Sequence, residues 1–247
     1  MNSILITGCN RGLGLGLVKS LLNLPKPPKH LFATCRNKAQ AEELTSLAAK
    51  HSNIHILEAD LCNFECYEQL VAQIDEIVKD EGLNVLFNNA GIAPKSTRIN
   101  IVREQELLDT LKTNTVVPIM FTKACLPLLK KASKVNDSLG MSLQRAAVIN
   151  MSSTLGSIGA NTSGGLYAYR TSKAALNAAT KSLSIDVYPN RILCVSLHPG
   201  WVRTDMGGAN APLDVQTSTS KMVETILSFN EKHNGGFYQY DGEKLPW

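Results

Sequence analysis

The sequence predicts a single domain with a doubly wound α/β fold, in which a mostly parallel seven-stranded sheet carries helices on both faces. Short apolar or β-branched runs alternate with helical patterns along the whole chain, which is typical of successive β-α-β units. The strand runs are almost continuously apolar, as expected for strands covered on both faces. The chain has 247 residues, 44% of them hydrophobic, and shows no internal repeat, so one core of this kind is expected.

The elements follow from the spacing of apolar residues and from the turn residues between them. Strands are predicted at residues 3–7, 30–35, 54–59, 84–90, 146–152, 191–200 and 236–240. Helices are predicted at residues 13–23, 38–50, 65–81, 103–132, 168–187 and 215–229. Pro25 ends the first helix, and Pro118 is expected to kink the long fourth helix.

Two irregular segments interrupt this pattern. Residues 133–145 are interpreted as a polar insertion between a helix and a strand. Residues 200–214 are rich in Gly and Pro and follow the carboxyl end of a strand, where open α/β sheets bind their ligands. We predict that residues 200–214 form a mobile lid or a substrate-facing loop; an ordinary surface connection is the alternative.

Composition excludes several classes of function. The net charge is +4, from 25 basic and 21 acidic residues without a basic block, so nucleic acid is not an expected partner. No signal-peptide pattern and no run of 18 apolar residues is present, so we expect a cytoplasmic protein without a membrane partner. Cys62 and Cys66 lack a second pair of metal-ligand type nearby, so no metal site is predicted and the six cysteines are expected to be reduced.

The first strand runs into a glycine-rich turn, Thr7–Gly14, with the sequence TGCNRGLG, and a helix follows. Glycines let the backbone turn sharply and approach a phosphate, and a helix N-terminus offers unpaired N–H groups to it. A glycine pattern alone is weak evidence, but this one lies in the required strand–turn–helix context. It therefore predicts a dinucleotide site, with a merely tight turn as the alternative.

The choice between NADP(H) and NAD(H) depends on the end of the second strand. Sites for NAD(H) commonly place a carboxylate there to accept a hydrogen bond from the ribose 2′-hydroxyl. Residues 33–37 read ATCRN and contain no carboxylate. Arg36 and Arg11 are instead predicted to pair with a 2′-phosphate, which favours NADPH/NADP⁺ as the cofactor.

Two tyrosines near the start of the sixth helix compete as candidate proton donors. Residues four apart share a helix face, so Tyr169 gains Lys173 as a neighbour, whereas Tyr167 gains only Thr171. A cation about 5 Å away would lower the pKa of a phenol by about two units from its ordinary value of about 10. Tyr169 is therefore predicted to be the catalytic residue, and Tyr167 a groove-filling aromatic.

These motifs and their order resemble the short-chain dehydrogenase/reductase family, whose fold is of the Rossmann type. The chain carries the family's TGxxxGxG turn, its NNAG motif at residues 88–91, its YxxxK motif at Tyr169–Lys173 and its Pro199-Gly200 turn. Ser153 matches the family's catalytic serine, with Ser152 as a rival, and Asn114 matches its helix-borne asparagine. Length, mild basic charge and the closing YDGEKLPW look closest to the sniffer-type carbonyl reductases of insects.

The resemblance implies roles for individual residues. Tyr169 would donate the proton, Ser153 would bind the substrate oxygen, Lys173 would hold the nicotinamide ribose, and Asn114 would position a water that links Lys173 to solvent. Thr204 would bind the nicotinamide carboxamide. The cofactor-binding residues implied are Gly8, Asn10, Arg11, Gly12, Leu13, Gly14, Arg36, Asp60, Leu61, Asn89, Ala90, Gly91, Tyr169, Lys173, Pro199, Gly200, Val202 and Thr204. Asp60 is equally able to cap the next helix, and His198 is interpreted as a buried strand-end residue.

The function expected from these residues is NADPH-dependent reduction of aldehyde, ketone or quinone carbonyls, with a small-molecule substrate. The alternatives are an NADP-dependent alcohol or hydroxysteroid dehydrogenase and a non-catalytic NADP-binding sensor. Family members often dimerise through the Ala-rich sixth helix and the long helix before it, so the resemblance allows a homodimer; packing within one chain explains the alanines equally well. Ser153 and Tyr169 lie sixteen positions apart, about three more than in many family members. The extra residues, within 161–165, are expected to loop out and to reshape one wall of the substrate pocket.

Overall fold

The computed structural model describes residues 1–94 and 98–247. Its centre is a seven-stranded sheet in the order β3-β2-β1-β4-β5-β6-β7, and every neighbouring pair of strands is parallel. The strands are β1 (Ser3–Ile6), β2 (His30–Cys35), β3 (Ile54–Glu58), β4 (Val85–Asn88), β5 (Ala147–Met151), β6 (Leu193–His198) and β7 (Phe237–Gln239). The predicted fold is confirmed, and each strand begins and ends within two residues of its predicted bounds.

Helices cover both faces of the sheet. They are α1 (Gly12–Leu22), α2 (Glu42–Lys50), α3 (Tyr67–Val78), α4 (Glu104–Leu111), α5 (Val117–Val135), α6 (Tyr167–Asp186) and α7 (Val215–Ser228). One apolar core includes Leu17 of α1 and Met222 of α7, and the other includes Ile74 of α3 and Phe121 of α5. Within the described residues, no helix is long and apolar enough to cross a membrane.

The predicted long helix is interrupted near its middle. A five-residue π-helical segment, Lys112–Val116, joins α4 to α5, and Pro118 lies in the first turn of α5. The N–H of Val117 bonds to the Lys112 carbonyl, and Pro118 has no N–H. The two donors that α-helical geometry would direct at the carbonyls of Thr113 and Asn114 are therefore not available to them.

The interpretation of residues 133–145 as a polar insertion is wrong in two respects. Residues 133–135 belong to α5, and Ser133 is buried there. Met141 and Leu143 are also buried, so the segment packs against the sheet instead of projecting from it. Arg145 fixes it further, since Nε donates to Ser133 Oγ at 2.8 Å and Nη1 donates to the Leu139 carbonyl at 2.7 Å.

Because all seven strands are parallel, their carboxyl ends meet at one edge of the sheet. The glycine turn follows β1, the NNAG segment follows β4, Ser153 follows β5, and residues 200–214 follow β6. Sequence segments that are far apart along the chain thus converge at the edge where doubly wound folds bind ligands.

Candidate active site

The glycine turn requires its glycines for conformation and for space. Gly8 and Gly12 adopt positive φ values of 71° and 57°, which side chains disfavour. At Gly14 the limit is steric, because a Cβ atom would lie 2.1 Å from the Gly8 carbonyl oxygen. The turn is therefore closed on itself, and helix α1 begins directly against the end of β1.

Thr7 and Asn89 fix this turn to the end of β4. The Thr7 hydroxyl oxygen accepts the N–H groups of Asn89 and Ala90, both at 2.9 Å. The Asn89 amide nitrogen donates in return to the carbonyls of Thr7, at 2.8 Å, and Gly8, at 3.2 Å. Asn89 of the NNAG segment thus holds the glycine turn in place through its side-chain amide.

The N-terminus of α1 fits the diphosphate of a dinucleotide. Arg11 is the N-cap residue, but its side chain makes no capping hydrogen bond, and the first turn has no acidic residue. The first N–H groups of α1 therefore have no side-chain partner and face the carboxyl edge of the sheet. Arg36, beyond the end of β2, is exposed and makes no hydrogen bond or ion pair within the described chain.

Asp60 and Leu61 shape the turn after β3. The carboxylate of Asp60 accepts the N–H of Cys62 at 3.0 Å. The side-chain cap of the following turn comes from Asn63, whose amide oxygen accepts the Glu65 N–H, so the suggestion that Asp60 caps the next helix is wrong. Leu61 is buried, and its carbonyl accepts the Tyr67 hydroxyl at 2.6 Å.

Ser153 and Ser152 lie in different environments at the end of β5. Ser153 lies beside Tyr169 and lowers the pKa of its phenol through side-chain hydrogen bonding, and the Ser153 hydroxyl oxygen accepts the N–H of Leu155 at 3.1 Å. The Ser152 hydroxyl instead donates to the side-chain oxygen of Asn177, at 2.6 Å, beneath α6. Of the two serines, only Ser153 is in contact with the candidate proton donor.

Tyr169 and Lys173 lie one helical turn apart on α6. The Lys173 ammonium is 5.7 Å from the centre of the Tyr169 ring and donates to the Met151 carbonyl at 2.7 Å. Burial lowers the pKa of Lys173 to about 8. Burial raises the pKa of Tyr169 to about 12, against the opposing effect of its hydrogen bond to Ser153. The expectation that the pKa of Tyr169 lies below its ordinary value is therefore wrong for this structure, because loss of solvation raises it.

Asn114, in the π-helical segment, is buried and bonded through its whole side-chain amide. Its oxygen accepts the Ile92 N–H, and its nitrogen donates to the Ile92 carbonyl, both at 2.8 Å. The same nitrogen donates to Ser172 Oγ at 3.0 Å, and Ser172 donates to the Tyr169 carbonyl at 2.8 Å. Asn114 thereby ties the segment after the NNAG motif to the helix that carries Tyr169.

The Pro199-Gly200 turn begins an internally braced loop. Gly200 has a φ of 83°, and a Cβ there would lie 2.4 Å from a Leu213 methyl carbon. Val202 is buried and pairs with Leu213 as an isolated bridge. The Thr204 hydroxyl oxygen accepts the Gly207 N–H at 3.1 Å. Residues 200–214 thus return on themselves along the carboxyl edge.

The motifs occur in the order and geometry of one family, and comparison of the whole chain agrees. Residues 2–213 match the family model for short chain dehydrogenases. The chain belongs to the short-chain dehydrogenase family. The family predicted from the sequence is confirmed.

Solved structures and curated relatives of this short-chain dehydrogenase cover most or all of its length. The carbonyl reductase Sniffer of D. melanogaster is 73% identical over 100% of both chains, with a TM-score of 0.99. The NADPH-bound carbonyl reductase from chicken fatty liver is 40% identical over 100% of this chain and 99% of that one, with a TM-score of 0.95. The C-signal of Myxococcus xanthus is 40% identical over 165 residues, which are 67% of this chain and 93% of that protein.

His198 of this short-chain dehydrogenase is buried at the end of β6, as expected. Its Nε2 atom is 3.5 Å from the Thr154 hydroxyl, and its Nδ1 atom is buried without a partner in the described residues. Burial lowers the pKa of His198 to about 4, so the ring is neutral at neutral pH. A neutral, enclosed imidazole suits packing better than acid–base work.

Several residues that build the site did not follow from the sequence. They are Thr7, the backbone N–H of Leu155, the Met151 carbonyl and Ser172. Thr7 lies in the TGxxxGxG motif and Ser172 in the YxxxK motif, so their positions in the sequence could have indicated a role in the site. The two backbone groups carry no signal in residue type, because any residue at those positions supplies the same N–H or carbonyl.

Proposed function

We propose that this chain is an NADPH-dependent carbonyl reductase acting on aldehydes, ketones or quinones, with Tyr169 as the proton donor. The observation that carries the proposal is the placement of Ser153 beside Tyr169, which lies one helical turn from Lys173, at the edge of the sheet where the glycine turn lies. The similar chicken reductase was solved with NADPH bound, and its similarity over the whole chain supports the same cofactor here. When bound, NADPH supplies the hydride for the carbonyl carbon.

Ser153 and Tyr169 would act together on the carbonyl oxygen. Because the Leu155 N–H occupies one lone pair of Ser153 Oγ, the hydroxyl hydrogen remains available for a second oxygen. That hydrogen bond orients the substrate and stabilises the negative charge that develops on its oxygen. Tyr169 then transfers its proton to the same oxygen.

The protonation state of Tyr169 is compatible with its role as a proton donor. A pKa raised to about 12 keeps the phenol protonated at neutral pH, and reduction requires the protonated form.

Lys173 and Asn114 would assist Tyr169 by binding the cofactor ribose and by returning a proton to the phenol. With a pKa lowered to about 8, Lys173 is mainly an ammonium at neutral pH and can hold the nicotinamide ribose by hydrogen bonds. The Asn114 backbone carbonyl lacks its α-helical donor, because Pro118 has no N–H, and a carbonyl oxygen has two lone pairs, so it can accept a hydrogen bond from water. We assign to that water the return of a proton to Tyr169 by way of Lys173.

The cofactor phosphates would be held by the glycine turn, and the 2′-phosphate by Arg11 and Arg36. The absence of a carboxylate among residues 33–37 supports NADP(H) over NAD(H). The remaining cofactor residues are assigned as the family resemblance implies, from Asp60 and Leu61 to Thr204. The loop at 200–214 would face the substrate, with Trp201 and Met206 exposed on it.

The decisive experiment is carbonyl-dependent oxidation of NADPH across a panel of aldehydes, ketones and quinones. We expect Tyr169→Phe to lose about 100-fold or more of kcat/KM, the usual contribution of a positioned general acid. Tyr167→Phe is the matched control, since it removes a hydroxyl two positions away from an exposed ring. Undiminished turnover in Tyr169→Phe contradicts the proposal, and so does NADPH binding without any turnover in the wild type, which would favour a non-catalytic sensor.

We propose in addition that two copies associate through α5 and α6. A groove of about 410 Å³ lies between these helices, and Lys123 and Lys130 line it on one side and Asp186 on the other. A second copy related by a twofold axis would bring the opposite charges together. Sedimentation of the wild type should give a dimer and Ile119→Arg a monomer; a monomeric wild type contradicts the proposal.

We also propose that the protein is cytoplasmic. All six cysteines are free, and four of them are buried. Free thiols in this number suit a reducing compartment better than an oxidising one. Fractionation of cells that express the native chain tests this; recovery in a membrane or secreted fraction would contradict it.

A further inference from the structure

Arg11 of the glycine turn is engaged by a carboxylate from the loop after β6. Its Nη1 atom donates to Asp205 Oδ2 at 2.6 Å, between residues 194 positions apart in the chain. The glycine turn and the loop lie next to each other at this point, since a Cβ on Gly12 would lie 3.7 Å from the Thr204 methyl group. The pair therefore spans the cleft between the glycine turn and the loop.

The loop holds Asp205 in a defined place. The Trp201 indole N–H donates to the Gly207 carbonyl at 2.8 Å, and the Gly208 N–H bonds to the Thr204 carbonyl at the same distance. These bonds close a turn over residues 201–208, with Asp205 at its tip. The carboxylate is thus presented to Arg11 by an ordered segment.

The sheet order places the two possible partners of Arg11 on opposite sides of it. Arg11 follows β1, whose neighbours are β2 and β4. The 2′-phosphate is expected beside Arg36, beyond the end of β2, whereas Asp205 belongs to the loop after β6, on the other side. A single guanidinium that points toward Asp205 is directed away from the β2 side.

We propose that Asp205 is a specificity-determining residue for the cofactor, because it competes with the 2′-phosphate of NADP(H) for the Arg11 guanidinium. The inference rests on the proposed function in one respect, the assignment of Arg11 to the 2′-phosphate. NAD(H) has no 2′-phosphate, so it binds with the Arg11–Asp205 pair intact. NADP(H) must break that pair, and Asp205 thereby reduces the preference for NADP(H) that the two arginines create.

The expected effect is small and specific. The pair is exposed, so its loss should tighten NADP⁺ binding by about two- to fivefold, the range of exposed ion pairs. Asp205→Asn should leave the affinity for NAD⁺ unchanged. The difference should shrink as salt is added, because exposed charges are screened.

Cofactor affinity should be measured by calorimetry, with NADP⁺, NAD⁺ and adenosine 2′,5′-bisphosphate as ligands and without substrate. Asp214→Asn is the matched control, since that carboxylate ends the same loop but lies 3.8 Å from Arg203 and not beside Arg11. The gain in Asp205→Asn should appear for both 2′-phosphate ligands and be absent in Asp214→Asn. The gain should also be absent when Asp205→Asn is combined with Arg11→Gln, because that double variant has no guanidinium for which the carboxylate and the phosphate could compete.

The inference would be overturned by unchanged or weaker NADP⁺ binding in Asp205→Asn, by an equal gain in Asp214→Asn, or by a gain that persists in Arg11→Gln. Weaker binding would mean that Asp205 supports the cofactor directly, and an equal or persisting gain would mean a general effect of charge. Failure of the proposed function is distinguishable, since it would appear in the wild type as absent NADPH binding or absent turnover. If Arg11→Gln leaves NADP⁺ affinity unchanged, the competition is excluded while the reductase assignment stands.

Discussion

The two ends of the proposed cofactor cleft differ most in their exposure to water. At the catalytic end, Ser153 and Lys173 are 6% and 3% exposed. At the 2′-phosphate end, the Arg11 side chain is 70% exposed. Buried groups act through fixed geometry and shifted pKa values, whereas exposed charges act through interactions that water and salt weaken. Substitutions should therefore have large effects at the first end and graded effects at the second.

The largest effect is expected at Lys173. Lys173→Met keeps an unbranched side chain one atom shorter but removes the ammonium that donates to the Met151 carbonyl and lies beside the Tyr169 ring. We expect kcat/KM for carbonyl reduction to fall by about 100-fold or more, as for removal of one preorganised donor. Lys181→Met, at an exposed position on the same helix, is the control. A folded Lys173→Met enzyme with full activity would show that the buried end is not catalytic.

The second largest effect is expected in the glycine turn, which lies between the catalytic end and the 2′-phosphate end of the proposed cleft. In Gly14→Ala, the new methyl group would lie 2.1 Å from the Gly8 carbonyl oxygen, so the backbone must shift. We expect the free energy of unfolding to fall by about 1–3 kcal/mol, as in other overpacked sites, with weaker NADPH binding. Urea unfolding measures the first and fluorescence titration the second. Gly140→Ala, where nothing lies within 4 Å, should change neither, and an unaffected Gly14→Ala would mean that the turn adapts.

At the exposed 2′-phosphate end, we expect a substitution to change the preference of the protein for NADPH over NADH. Arg36→Glu should raise the Kd for NADPH about tenfold or more, because a charge-assisted contact becomes a repulsion, while the Kd for NADH changes far less. The difference should diminish at high salt. Lys50→Glu reverses a charge at the opposite edge of the sheet and serves as the control. Equal effects on the Kd for both nucleotides would contradict the assignment of Arg36 to the 2′-phosphate.

The smallest expected effect concerns acid stability at the buried end. Burial lowers the pKa of His198 to about 4, whereas an unfolded histidine titrates near its ordinary value of about 6.5. Between these values the unfolded chain binds more protons, so the free energy of unfolding falls as the pH drops from about 6.5 toward about 4. His30 and His55 shift in the same direction. Urea unfolding at pH 7 and pH 5 should show less pH dependence in His198→Asn; an unchanged slope would exclude His198 as a contributor.

Much of the fold and of the buried catalytic end could be predicted from the sequence. Continuous apolar strands and the glycine turn predicted the sheet and the start of α1, because each depends on local pattern. Tyr169 was separated from Tyr167 by helical spacing alone, and the structure brings Ser153 and Lys173 to it. Asn161–Ser163 are exposed as expected, and Ser163 accepts a hydrogen bond from Arg170 at 2.8 Å. Their effect on the substrate pocket remains a prediction.

Features that depend on tertiary context did not follow from the sequence. The π-helical segment lies directly before Pro118 and contains Asn114 with its tertiary contacts, whereas a proline alone predicts only a kink. The pKa of Tyr169 was predicted from one neighbour, but burial by the whole site decides it. The Arg11–Asp205 pair joins residues 194 positions apart, and no local pattern encodes such a contact.

The most direct test of the central claim is a crystal structure of the protein with NADP⁺ bound. We expect the Tyr169 hydroxyl to lie within hydrogen-bond distance of Ser153 Oγ and to face the nicotinamide, with Lys173 near the nicotinamide ribose. A closed, occupied pocket in which the Tyr169 oxygen points away from the nicotinamide would contradict it.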